Sequence, residues 1–181
     1  MTTDTQRPAA LAWLLLIVLS LIWGSSFILM LLGLKAFPPL QLALIRMGVA
    51  AVCLSPLLFL YIRKVSLRDV GLLLAIGLAG NAIPAYLFAE AETQLPSAIV
   101  GVLNSMSPIF TLLLGAIFFK LRFPLVNGAG VLLGFVGATI LAMSGKADAG
   151  QTTKLSYTLL VVAATVCYGI STNLIKYYFS G

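Results

Sequence analysis

Histidine is absent from the 181 residues, and only 9% of them are charged, with five acids in all. Without imidazole there are no His metal sites, no His proton relays and no Ser/His or Cys/His nucleophile pairs. A soluble domain carries about 25% charged residues, so this chain is too poor in charge to cover a globule facing water. Cysteine is limited to Cys53 and Cys167. Both fall inside apolar runs, where they act as small hydrophobes rather than disulfide partners. The only acids within or beside those runs are Asp69, Glu90 and Glu92, too few for the clustered groups a membrane enzyme needs. No catalytic residue, cofactor or metal is expected.

What the chain has in excess is apolar length. Hydrophobic residues make up 61%, the mean hydropathy is +1.10, and apolar runs recur at about 9–34, 40–62, 70–89, 95–119, 124–145 and 155–175. A helix crosses a hydrocarbon core of roughly 30 Å in about 20 residues and satisfies its own backbone there. The runs therefore predict an all-α integral membrane protein with six transmembrane helices. Segments of about ten residues with alternating polarity, the mark of a membrane β-barrel, do not occur. The first run exceeds the roughly 7–15 residues of a signal-peptide core and ends at Leu34-Lys35 without an Ala-x-Ala pattern, so it reads as an uncleaved span.

The net charge of +6 is scattered singly between spans, which fits membrane topology and gives no nucleic-acid partner. Lys and Arg in short loops favour the cytoplasm. With the N-terminus inside, Arg7, Arg63, Lys64, Arg68, Lys120, Arg122 and Lys176 are cytoplasmic, against Lys35, Lys146 and Lys154 outside. This predicts a multi-pass cell-membrane protein with a cytoplasmic N-terminus. The lipid bilayer is then a partner along its whole length.

The first and sixth runs resemble each other. WGSSFILM at 23–30 aligns with YGISTNLI at 168–175, pairing Trp23 with Tyr168, Gly24 with Gly169 and Ser26 with Ser171. Five spans separate the two copies. An odd number of helices enters its second copy from the opposite face, giving an inverted repeat of the kind secondary transporters use around a midplane substrate site.

At these residues the sequence resembles the EamA domain of the drug/metabolite transporter superfamily. The resemblance is carried by WGSSF at 23–27, PPLQLALIR at 38–46, PSAIVGVLNSMSPIF at 96–110 and GAGVLLGFVGATIL at 128–141. The family often has Gly-Glu-Arg after the fourth helix, where this chain reads FFKLRF at 118–123. The resemblance implies a cytoplasmic tail at 1–10, a five-helix domain at 11–145, a linker at 146–154, and at 155–181 the first helix of a second repeat. It also implies an inner-membrane exporter of small organic metabolites, amino acids or drugs, acting by alternating access between two halves. The second half would be a second copy or a C-terminal half not in these 181 residues. The alternative is a truncated or half-size subunit, inactive unless paired.

Candidate functional residues follow from polarity at membrane depth. Trp23 lies roughly 18 Å along its helix, and Ser26 and Phe27 accompany it as a cavity wall for a small organic solute. Tyr168 and Ser171 repeat that wall in the sixth run. Arg46 sits roughly 9 Å inside the second span, where an unpaired charge costs at least a few kcal/mol. It is expected to pair with Glu90 or to bind a substrate carboxylate, and Glu90 is the expected proton- or ion-coupling group. Glu92 is expected to be solvated. Asn81 and Tyr86 in the third span, and Asn104 and Ser107 in the fourth, are expected to face inward, because Pro84 and Pro108 free carbonyls that polar groups must satisfy. Gly24, Gly130 and Gly134 are expected to serve helix packing.

Overall fold

The computed structural model describes residues 9–61, 65–118 and 155–179, together with 128–130, 132–133, 136–137 and 140. The described elements are all helical: α1 (Ala9–Gly33), α2 (Pro39–Tyr61), α3 (Leu67–Gly77), a π-helical segment (Leu78–Ala82), α4 (Ile83–Glu92), α5 (Ser97–Asn104), α6 (Ser107–Ile117) and α7 (Leu155–Phe179). Five stretches are long and apolar enough to cross a membrane: Leu11–Gly33, Pro39–Tyr61, Asp69–Glu92, Ser97–Ile117 and Leu155–Phe179. Most of the fifth expected span, 124–145, lies outside the described residues, although its described positions are helical. The tail at 1–8 and the linker at 146–154 also lie outside them.

Proline explains where these helices start and bend. Pro39 opens α2 at the first helical position, where its missing N–H is not needed. Inside a helix, proline deprives the carbonyl four residues earlier of its donor. For Pro56 that carbonyl belongs to Val52, and the Ser55 hydroxyl donates to it at 2.8 Å. Pro108 lies in the first turn of α6, and the Asn104 carbonyl four residues before it accepts a hydrogen bond from the Ser107 hydroxyl at 2.7 Å. A serine placed directly before proline thus supplies a bond that proline cannot give. The fourth span is nevertheless interrupted at Ser105-Met106, between α5 and α6. The third span meets Pro84 differently, by widening into the π segment, where the Ile83 N–H reaches the Leu78 carbonyl.

The buried apolar core gathers at one end of the bundle. Its members are Met30, Leu42, Phe88, Ala89, Ala91, Leu95, Val100, Val161 and Ala164, which come from the end of α1, the start of α2, the end of α4, the start of α5 and the first half of α7. Two short turns, 34–38 and 93–96, close this end. Gly33 permits the first of them to fold tightly, since a Cβ there would fall 2.7 Å from Leu42 Cδ1. Away from this end α1 and α2 expose Trp13, Leu21, Phe59 and Leu60, apolar surface suited to lipid tails.

Candidate functional site

The seventh helix is the hub. It packs against α4 and α6 most extensively, and also against α3, α5 and the π segment. Its polar residues hold it there. Ser171, 5% exposed, donates to the Ile76 carbonyl just ahead of the π segment at 3.0 Å. Asn173, 1% exposed, donates to the Thr111 carbonyl of α6 and to the Gly169 carbonyl of its own helix, each at 2.8 Å. Gly169 brings the α7 backbone against α6: a Cβ there would lie 3.1 Å from Phe110 C and from Thr111 N. A Cβ on Gly80 would collide with the Ser171 hydroxyl, so the π segment and α7 touch at two small residues.

Above this contact an aromatic ladder crosses the bundle. Phe27 of α1 meets Phe88 of α4 edge-on with centroids 5.8 Å apart. Phe88 then stacks on Tyr168 of α7, also at 5.8 Å. Trp23 does not join the ladder and is 64% exposed. It lines, with Gly24, Phe27, Ile28, Ser97, Ala98 and Gly101, an open groove of about 430 Å³ between α1 and α5. The aligned residues Trp23 and Tyr168 therefore have different surroundings, because α7 lies amid the bundle whereas α1 lies at its edge.

Arg46 does not make the first of its two expected contacts, the pair with Glu90. Its guanidinium donates to Met30 Sδ at 2.9 Å and to Ser26 Oγ at 3.3 Å, not to Glu90. Thioether sulfur is a weak acceptor and a guanidinium has five donors, so much of its hydrogen-bonding capacity is unspent. Glu90 is half-buried. The expectation for Glu92 is reversed: it is 3% exposed, and neither carboxyl oxygen has a hydrogen-bond partner. The reason is local. The turn at 93–96 folds α5 back over the end of α4, with the Leu95 N–H on the Ala91 carbonyl at 2.9 Å. The Ser97 hydroxyl stands beside that carboxyl and the Arg46 charge acts on it.

The remaining expected residues divide. Ser107 and Asn104 are half-buried but engaged with each other, Ser107 Oγ donating also to Asn104 Oδ1 at 3.2 Å; the demand of Pro108 explains this. Asn81, in the π segment, and Tyr86 are exposed. Ser171, expected on a cavity wall, is buried in the contact with Ile76. A Cβ at Gly24 or Gly130 would meet nothing within 4 Å, so the close approaches fall at Gly33, Gly80 and Gly169 instead. Gly134 lies outside the described residues. No group of three His, Cys, Asp or Glu side chains that could hold a metal occurs among the described residues.

Residues 10–143 match the model of the EamA-like transporter family. The chain belongs to that family. Among its relatives, a probable terminal-alkyne amino-acid exporter of Streptantibioticus cattleyicolor is 28% identical, over 82% of this chain and 49% of the relative. The uncharacterized inner membrane transporter YedA of Escherichia coli K12 is 31% identical, over 72% and 43%. A probable amino-acid metabolite efflux pump of the same organism is 32% identical, over 76% and 43%. The chain spans about half the length of the curated relatives it matches. No solved structure matches it.

Proposed function

We propose that this chain forms one half of the pathway of a secondary transporter that exports small organic solutes by alternating access. In this reading residues 11–145 are a five-helix domain with a cytoplasmic N-terminus, and α7 opens a second, inverted repeat. The complementary half comes from a second copy or from a C-terminal half of the protein. Several of its relatives are named as exporters or efflux pumps of amino acids and their metabolites, which favours a solute of that size and polarity.

The observation that carries the reading is the pair of interrupted spans. The π segment of the third span and the Ser105-Met106 break of the fourth both lie beside α7. Discontinuous helices at membrane depth are tolerated where they are buried in protein or line a cavity, and they form the substrate sites of many transporters. Burial at one end of the bundle, with α1 and α2 less packed toward the other, suits a half closed on one side of the membrane. The solute wall would comprise Trp23, Ser26 and Phe27, with Tyr168 across the ladder and Arg46 presenting donors to a carboxylate.

Growth of cells on toxic amino-acid analogues tests the reading. Expression should raise tolerance to at least one analogue, and Phe27→Ala or Arg46→Met should remove the protection while the protein remains in the membrane. Equal tolerance with and without the protein across such a panel would count against it.

A further inference from the structure

Among the described residues, one buried acidic group is not used by the transport reading. Glu92 is 3% exposed, and neither carboxyl oxygen makes a hydrogen bond of good geometry, although the Ser97 hydroxyl stands beside it as a donor. A buried ionised carboxylate so poorly partnered is costly enough that the group neutralises or acquires a partner instead. The cation able to serve is held elsewhere, since Arg46 bonds Met30 Sδ and Ser26. That arrangement fits a protonated carboxyl. The ionised form would require the guanidinium to leave its weak sulfur acceptor and turn toward α4.

We propose that Glu92, with the Ser97 hydroxyl, is a proton-binding site that governs the closed end of the bundle, and that Arg46 is its exchangeable counter-charge. With the proton on a Glu92 oxygen, the neutral carboxyl lies under the 93–96 turn and Arg46 rests on α1 through Met30 and Ser26, tying α2 to α1. When the proton leaves to water, the carboxylate draws Arg46 across. The α1–α2 tie is then broken, at the end where the apolar core is gathered. The other charged or titratable groups toward this end, on elements packed against α4, are Lys35 after α1 and Tyr157, Cys167 and Tyr168 of α7. Glu90 lies on α4 itself, α5 supplies none, and the π segment supplies none. Among these Arg46 is the cation whose charge acts on Glu92. The coupling role rests on the transport reading, whereas the site itself does not.

Infrared difference spectroscopy of the protein in lipid vesicles, titrated from mildly acid to mildly alkaline conditions, tests the site without any solute. A carboxylic-acid carbonyl band should vanish on alkalinisation, be missing in Glu92→Gln and remain in Glu90→Gln. In Arg46→Met it should persist to more alkaline conditions, because the counter-charge is gone. Glu92→Asp should keep a titrating band at a shifted position, which guards against misfolding of the Gln variant. A band that survives Glu92→Gln and is unmoved in Glu92→Asp, or one that disappears in Glu90→Gln instead, would overturn the assignment. So would a carboxylate that responds to sodium but never protonates. An intact titration in a protein that moves no solute would remove the transport reading and leave the proton site standing.

Discussion

The Ser171 hydroxyl donates to the Ile76 carbonyl oxygen at 3.0 Å, bridging 95 residues of chain. It joins the hub helix to the span that, among the described residues, widens into a π segment, and it lies where Gly80 leaves no room for a side chain. Interhelical hydrogen bonds inside membranes contribute on average about 0.6 kcal/mol and at most about 1.7 kcal/mol. Ser171→Ala should lower stability within that range, measured by thermal unfolding in detergent. Gly80→Ala should cost more, because its Cβ meets Ser171 Oγ and Cβ together. Equal stability of Gly80→Ala and the wild type would contradict this contact.

Gly169 and Gly24 are aligned in sequence but not in packing. Gly169→Ala places a methyl group 3.1 Å from the α6 backbone, and overpacking of this kind costs roughly 1–3 kcal/mol. Gly24→Ala has open space and gains helix propensity, so it should be neutral or slightly stabilising. Circular dichroism melts of the two variants should separate clearly.

Asn173 makes two hydrogen bonds at a site with almost no exposure. Asn173→Leu should loosen α7 from α6, giving faster amide hydrogen exchange in Leu155–Phe179 than in α1. Uniform exchange across both helices would argue that the Thr111 bond does not hold the hub.

Serine before proline gives a paired prediction. Ser55→Ala and Ser107→Ala each leave a carbonyl in apolar surroundings without its donor, so each should destabilise by about 1–2 kcal/mol. Replacing Ser55-Pro56 by Ala-Ala restores the ordinary helical bond inside α2. It should recover most of that loss, and failure to recover it would show that the serine acts in some other way.

Much of the helical architecture was legible because twenty-residue apolar runs and Pro-led helix starts are dictated by the bilayer and by local sterics. The aromatic ladder was half legible: Phe27 and Tyr168 stood out, but Phe88 looks like any apolar residue until α4 and α7 cross. Glu92 was misread because distance along a span says nothing about a turn folding back over its end. The signal that was present, Pro96-Ser97 four residues beyond the acid, marks the chain reversal that buries it. The backbone duty of Ser107 was legible from its neighbour Pro108, and the same Ser-Pro pattern at Ser55 and Pro56 marks the second span.

Solute flux tests the central claim most directly. The protein would be purified from its native membrane with whatever completes it, reconstituted in vesicles and assayed for counterflow of labelled amino acids and small aromatic metabolites. The account predicts saturable counterflow of at least one of them, lost in Phe27→Ala and changed in pH dependence by Glu92→Gln but not by Glu90→Gln. A well-folded helical protein that shows no saturable flux of any solute in the panel would contradict it.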